Sequence, residues 1–132
     1  AGERDARRVG LERGVRDDHL VAFDVEPDGS LRNRRVAATL VGVRHNPIDG
    51  TAAGGADGLI TAADGRLYAA TAIGVQVFTP QGGYMGTIPL PRNATNLAFG
   101  TDKKTLYVGS SAAPGAVYKI AMLAQGIKDR AR

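Results

Sequence analysis

The sequence predicts an all-β fold made of repeated, antiparallel, four-stranded units. Short runs rich in Val, Thr and Ala alternate with Gly- and Asp-containing turn dipeptides, and the 132 residues include 18 glycines. This alternation is typical of short strands joined by tight turns. No long stretch shows the 3.6-residue period of an amphipathic helix. The strand pattern also recurs at a spacing of about 40 residues, which indicates a repeat architecture.

Composition narrows the classes of function. The 43% share of hydrophobic residues is ordinary for one domain that buries a core. The chain has no cysteine, which excludes a disulfide framework, a thiolate metal site and a thiol nucleophile. No apolar run approaches the roughly 20 residues of a membrane helix, so we expect no membrane partner. Cytoplasmic, periplasmic and secreted locations all stay open.

The net charge of +4 does not predict nucleic-acid binding. Lys and Arg residues are scattered, and the one cluster, Arg32, Arg34 and Arg35, lies on a predicted strand and its approach. Nucleic-acid recognition would need a broader basic patch with interleaved aromatic residues. We therefore interpret the cluster as the solvated face of a strand.

The chain begins with a segment that carries no predicted chemistry. Residues 1–18 mix arginines and acids with few large apolar groups, so we expect a mobile segment or at most a frayed helix. From residue 19, the stretch HLVAFDVEPDGSLRNRRVAATL predicts a hairpin with a Pro-Asp-Gly turn. Residues 41–56 contain Pro47, Asp49-Gly50 and Gly54-Gly55, which predict a loop.

Seven further strands are predicted after that loop. The first four are GLITA, RLYAAT, GVQVFT and YMGTIPL, and the next three are TNLAFG, TLYVGS and AVYKIAM. The second set repeats the first, with these matches: Leu59 with Leu97, Asp64 with Asp102, Leu67-Tyr68 with Leu106-Tyr107, and Val75 with Val117. Four short strands in about 40 residues are typical of a β-propeller blade. VAFDVEPDGSL resembles VQVFTPQGGYM, so the hairpin supplies the outer two strands of a preceding blade.

The chain therefore contains about two and a half blades, whereas closed propellers have about four to eight. The run DGLITAADGRLYAATAIGVQVFTPQGGYMGTIPLP and the later run TNLAFGTDKKTLYVGSSAAPGAVYKI resemble the C-terminal blades of the gluconolactonase and regucalcin (senescence marker protein) family. The resemblance covers residues 19–127 and leaves 1–18 and the tail 128–132 outside. It implies a six-bladed propeller that hydrolyses sugar lactones with a divalent metal in its central channel.

Asp57 is the principal candidate site residue. It stands directly before the innermost strand GLITA, although Asp64-Gly65 already supplies the turn which that strand needs. Innermost blade strands run along the central channel, so a residue at the mouth of such a strand can face a shared pocket. The equivalent position in the next repeat is Thr95, beside Asn96.

The resemblance implies roles for these residues. Asp57 falls on the family's metal-ligating aspartate, which is also the candidate general base, and Thr95 and Asn96 would line the substrate pocket. Carboxylate and amide oxygens suit a hard dication. We expect Ca²⁺, with Zn²⁺, Mn²⁺ or Mg²⁺ as alternatives. The family's other metal ligands, a glutamate from the first blade and an asparagine from the middle of the chain, fall outside these residues.

Each candidate also has a structural interpretation. Asp57 can be a simple turn residue, and Asn96 can cap the backbone at a strand start. His19 and His45 are interpreted as surface or loop residues, and Ser110-Ser111 lacks the surroundings of a nucleophilic serine. Our leading hypothesis is the C-terminal part of a metal-dependent lactone hydrolase, with a sugar lactone and the missing blades or a second copy as partners. The alternative is a non-catalytic propeller module for binding or structure.

Overall fold

The structure is a computed structural model that describes residues 7–11, 18–49, 52–53 and 55–122. These ranges contain no helix, and every pair of neighbouring strands in them is antiparallel. The strands are β1 (Arg7–Leu11), β2 (His19–Val25), β3 (Leu31–Thr39), β4 (Arg44–His45), β5 (Ala52–Ala53), β6 (Gly58–Thr61), β7 (Leu67–Thr71), β8 (Gly74–Phe78), β9 (Tyr84–Ile88), β10 (Asn96–Phe99), β11 (Thr105–Ser110) and β12 (Ala116–Ala121).

The predicted complete blade is confirmed as the four-stranded sheet β6-β7-β8-β9. All five residues of β7 are buried, because both faces of this sheet are covered. Leu67 and Ala69 belong to the core shared with the first sheet, whereas Tyr68 and Ala70 belong to the core shared with the third. Alternate side chains of one strand thus fill two different inter-blade cores.

The predicted three-stranded repeat is confirmed as the sheet β10-β11-β12. The turns after β6 and after β10 are similar, although the bond that closes the first spans four residues and the bond that closes the second spans five. The amide of Ala62 donates to the Arg66 carbonyl at 2.9 Å, and the amide of Gly100 donates to the Thr105 carbonyl at 2.8 Å. This shared turn geometry supports the interpretation of the two segments as equivalent blade strands.

The first sheet departs from the sequence prediction. The hairpin β2–β3 forms as expected, but β1 adds a third strand along β2, so the sheet order is β1-β2-β3. Within residues 1–18, which we expected to be mobile or at most helical, Arg7–Leu11 is a β-strand, while 1–6 and 12–17 lie outside the described residues. An acidic and basic composition does not prevent a short strand when a neighbouring strand offers its unpaired edge.

The arginine cluster lies on an exposed stretch of β3, as predicted. Arg35 forms an ion pair with Asp24 of β2, with 2.9 Å between Nη2 and Oδ1. Arg32 lies 3.7 Å from the Glu26 carboxylate in a looser pair. Exposed ion pairs of this kind contribute at most about 1 kcal/mol each, so they add little to the stability of the hairpin.

The connection from the first sheet to the second is more ordered than the predicted loop. β4 and β5 pair with each other within residues 41–56, with Arg44 opposite Ala53. The corresponding connection from β9 to β10 is shorter and contains no strand in its described residues, 89–95. Both connections end where an innermost strand begins. Among the described residues, no helix has the length and apolar character to cross a bilayer.

Candidate functional site

The three predicted site residues lie at the same edge of the fold, at the start of the innermost strands β6 and β10. Asp57 precedes β6 and its side chain is exposed, while Thr95 precedes β10 and Asn96 is its exposed first residue. The two strands contact each other across the boundary between the blades. The structure thus places Asp57, Thr95 and Asn96 at adjoining strand starts.

Both innermost strands begin with the same backbone irregularity. Gly58 is paired with Ala70, so regular pairing would set Asp57 opposite Thr71, yet the Asp57 amide donates to the Ala70 carbonyl at 2.9 Å. Thr95 repeats this offset, since its amide donates to the carbonyl of Gly109 at 2.9 Å. Such a one-residue slip re-aims the side chain at the strand end, as β-bulges commonly do beside active sites.

The contact between the two strand starts is very close at Gly58. A β-carbon placed on Gly58 would lie 2.7 Å from Oδ1 and 2.8 Å from Cα of Asn96, and 3.1 Å from the Thr95 carbonyl oxygen. A side chain at this position would therefore displace the neighbouring strand. Glycine after Asp57 permits the amide of Asn96 to lie over the backbone that carries the carboxylate.

The side chains of Asn96 and Thr95 are partly engaged by their own strands. Oδ1 of Asn96 accepts a hydrogen bond from the Leu97 amide at 2.9 Å, which is the backbone-capping role that the sequence left open. A carboxamide oxygen has a second lone pair, so this bond does not exclude a further contact. The Thr95 hydroxyl donates to the Gly109 carbonyl at 3.1 Å. Thr95 thus fixes the strand start, whereas Asp57 and Asn96 present polar groups to solvent.

Asp64 is confirmed as the turn residue of this blade. Its Oδ1 accepts the amide of Arg66 at 3.0 Å, and its Oδ2 lies 3.2 Å from Nε of the same arginine. Asp102 makes the same local bond to the Lys104 amide at 2.9 Å. Hydrogen bonds from the Lys104 amide and then from the Thr105 hydroxyl and amide hold the pKa of Asp102 below its usual value. These two aspartates serve turns at the far ends of the innermost strands.

The carboxylate and amide oxygens of Asp57 and Asn96 suit a hard cation, but the described residues supply only part of a ligand set. Ca²⁺ takes about six to eight oxygen ligands, commonly with several carboxylates among them. No group of three or more His, Asp or Glu side chains with metal-binding geometry occurs in the part of the chain that the structure describes. Asp57 and Asn96 could therefore contribute to a cation site only together with ligands from elsewhere.

The remaining candidates occupy structural positions. Nδ1 of His19 lies 3.4 Å from the Thr39 hydroxyl and 3.6 Å from the Asp18 carboxylate, at the edge of the first sheet. The Ser110 hydroxyl donates to Oδ1 of Asn93 at 2.8 Å, so it joins the end of β11 to the connection 89–95. The backbone of His45 lies in β4, and its side chain is not among the described parts of the structure.

Sequence reasoning missed two buried polar residues behind the mouth, Thr71 and Gln76. Both are almost completely inaccessible, at 1% and 0% exposure. A glutamine inside the apolar run GVQVF was the available signal, because a buried amide requires hydrogen-bond partners.

Tandem antiparallel sheets whose first strands lie side by side define a β-propeller protein, with the candidate site at the starts of those strands. The family model described as SMP-30/Gluconolactonase/LRE-like region matches residues 11–112. The chain belongs to this family. The matched range begins at residue 11, before the start of the resemblance seen in the sequence at residue 19, and ends at residue 112.

Solved structures agree with this assignment. A luciferin-regenerating enzyme superposes with a TM-score of 0.73 at 22% identity, over 92% of this chain and 43% of that one. A protein provisionally described as a gluconolactonase gives 0.68 at 26% identity, over 85% and 34%. A gluconolactonase from Xanthomonas campestris gives 0.63 at 24% identity, over 85% and 36%.

The chain spans less than half the length of each of these structures. A search of curated proteins finds no matching sequence.

Proposed function

We propose that these blades form the Asp57 side of a lactone-hydrolysing site in the central channel of a propeller. The observation that carries the proposal is that the exposed residues Asp57 and Asn96 stand at the adjoining starts of β6 and β10, where Gly58, the neighbour of Asp57, lies against Asn96. The family assignment and the resemblance to gluconolactonases support it. The substrate class is a small sugar lactone.

Asp57 would act on protons in this reaction. Lactone hydrolysis adds water to the ring carbonyl and breaks the bond between the carbonyl carbon and the ring oxygen, which gives an open-chain hydroxy acid. The Asp57 carboxylate would accept a proton from the attacking water and return it to the departing ring oxygen. A positioned general base contributes about 10²–10⁴-fold to such a rate.

Asn96 would orient the substrate. Its carboxamide carries two N–H donors and an oxygen whose second lone pair stays available beside the Leu97 bond. These groups match the hydroxyls and carbonyl of a sugar lactone. The close contact at Gly58 keeps the amide near the Asp57 backbone, so substrate held by Asn96 would lie beside the base.

Asp57 and Asn96 would also be the contribution of this chain to a divalent cation site, with Ca²⁺ as the expected ion. Bound there, a dication would polarise the lactone carbonyl and favour attack by water. The remaining ligands would come from other blades.

The test is hydrolysis of a series of sugar lactones by a closed propeller that carries these blades, with and without chelator. Hydrolysis that is lost with chelator and restored by Ca²⁺ supports the proposal. The same propeller without lactonase activity, and without heat of Ca²⁺ binding in calorimetry, contradicts it. That outcome favours the second candidate, a binding or structural module, for which the capping role of Asn96 is the supporting observation.

A further inference from the structure

The complete blade buries two polar side chains, those of Thr71 and Gln76, near the turn that joins β7 to β8. Gln76 in β8 is 0% exposed and Thr71 at the end of β7 is 1% exposed. Burying an amide or hydroxyl is costly unless its hydrogen bonds are satisfied. The partners of these two side chains therefore indicate what their burial achieves.

Gln76 holds the backbone that leads away from the first sheet. Its Oε1 accepts the Val41 amide at 2.9 Å, and its Nε2 donates to the Val41 carbonyl at 2.8 Å. Val41 opens the connection 41–56, which ends directly before Asp57. Only a side chain with both a donor and an acceptor can satisfy both backbone groups of one residue in this way.

Thr71 links Gln76 to the other connection. Nε2 of Gln76 also donates to the Thr71 hydroxyl at 3.3 Å, and that hydroxyl donates to the Gly74 carbonyl at 2.8 Å. The Thr71 carbonyl accepts the amide of Ala94 at 3.0 Å. Ala94 lies in the connection 89–95, which ends directly before Asn96.

The end of β7 thus holds the backbone at or near both candidate site residues, Asp57 and Asn96. The Ala70 carbonyl accepts the Asp57 amide, and the adjacent Thr71 carbonyl accepts the Ala94 amide. The Gln76 amide ties the end of β7 to Val41. Buried and part-buried hydrogen bonds therefore link Val41 through Gln76 to Thr71, and Thr71 in turn to Ala94.

We propose that Gln76 and Thr71 are positioning residues that set Asp57 and Asn96 relative to each other by fastening both connections to the end of β7. The consequence for lactone chemistry rests on the proposed function, whereas the fastening itself does not. An apolar residue could fill the same volume, but it would leave the Val41 backbone groups without these partners and the two connections uncoupled.

The test is residue-resolved amide hydrogen exchange on the full 132-residue chain. The informative amides are those of Asp57 and Ala94, because their own acceptors are unchanged in the variants. In Gln76→Leu and in the nearly isosteric Thr71→Val, the Asp57 and Ala94 amides should exchange about tenfold faster, measured relative to the amides of β11. A factor of about ten is what the loss of one hydrogen bond produces. Thr71→Ser keeps the hydroxyl and should retain the wild-type pattern.

Leu67→Val is the matched control. Leu67 is also buried, but it lies at the opposite end of β7 from Thr71 and belongs to the core that contains neither Ala70 nor Ala94. Its truncation should loosen the sheet without singling out Asp57 and Ala94. The proposal is overturned if both amides keep their wild-type exchange relative to β11 in Thr71→Val and Gln76→Leu, or if Leu67→Val produces the same selective change.

Failure of the proposed function would look different, since amide exchange requires neither metal nor lactone. A closed propeller that shows the selective exchange effect but hydrolyses no lactone would contradict the lactonase proposal and support the fastening.

Discussion

Gly58 and Asn96 lie so close that a β-carbon on the glycine would come within 2.7 Å of the asparagine Oδ1. The first strands of two successive blades meet at this contact, one residue after Asp57 and one residue after Thr95. The absence of a side chain at Gly58 is therefore a condition for the arrangement of the candidate site.

Gly58→Ala should disturb this contact. The new methyl group would collide with backbone and side-chain atoms of the neighbouring strand, and overpacking of this kind costs about 1–3 kcal/mol. We expect a lower melting temperature, with chemical-shift changes concentrated at Thr95 and Asn96.

Gly109→Ala is the control for that substitution. Gly109 lies opposite Asn96 in β11, and the nearest atom to its added β-carbon, the Thr95 hydroxyl oxygen, is 3.9 Å away. This variant should be neutral or slightly stabilising, because alanine restricts the unfolded chain. Equal destabilisation by both alanines would show that strand propensity, rather than the Gly58 contact, decides the outcome.

The isolated chain should bind Ca²⁺ no better than about millimolar, as expected of a site with few ligands. It should also hydrolyse no lactone, because Asp57 and Asn96 form only part of a ligand set. Calorimetric titration and a lactonase assay on the purified chain measure both properties. Chelator-sensitive hydrolysis of gluconolactone by this chain alone would show that the described blades suffice.

Tyr107 should promote association of the chain. It is 42% exposed on the third sheet, whereas its counterpart Tyr68 is 1% exposed because the third sheet covers it. In addition, β12 pairs only with β11 among the described strands, and unpaired edges and open apolar faces favour association. Sedimentation velocity should show oligomers that decrease in Tyr107→Gln.

The control for Tyr107 is Tyr84→Gln, since Tyr84 is similarly exposed at 49% but lies on the outer strand of the complete blade. Association should persist in this variant. A stable, well-folded wild-type monomer at high concentration would contradict the expected association.

Asp102 should make stability depend on acidic pH. Its hydrogen bonds from the Lys104 amide and the Thr105 hydroxyl lower its pKa in the folded state. The resulting stabilisation is present above the unfolded-state pKa of about 3.9 and is lost as the pH falls through the lower folded-state value. The melting-temperature advantage of wild type over Asp102→Asn should therefore shrink below about pH 4.

Thr105→Val supplies the control for this pH dependence, because it removes one of the hydrogen bonds that lower the Asp102 pKa. Its acid dependence should be weaker than that of the wild type. An advantage over Asp102→Asn that grows on acidification would contradict the assigned direction.

The blade pattern could be predicted from sequence because local signals and long-range packing agree there. Asp64 and Asp102 occupy equivalent turns, and the apolar strands between the turns recur at matching positions in the two repeats. The strand at Arg7–Leu11 could not be predicted, since its pairing depends on the free edge of β2 rather than on its own composition. β4 and β5 are too short for a periodic signal.

The sequence predicts the three residues of the candidate site, but it does not predict the backbone offset or the hydrogen bonds that position them. Asp57 was found because its turn role was already filled by Asp64. The backbone offset shared by Asp57 and Thr95 depends on strand register, which becomes visible only in three dimensions. The fastening by Gln76 joins residues 35 positions apart in sequence, and no local pattern reports such a contact.

The paired substitutions Asp57→Asn and Asp64→Asn, made in a closed propeller carrying these blades, test the central claim most directly. Asp57→Asn should preserve the melting temperature, because the side chain is exposed and the amide is nearly isosteric. It should lower lactone turnover by about 10²–10⁴-fold through loss of the base. Asp64→Asn should leave turnover nearly unchanged, since asparagine serves such turns equally well. Equal losses of activity in the two variants, or a fall of about 10 °C in the melting temperature of Asp57→Asn with turnover per folded molecule intact, would contradict the account.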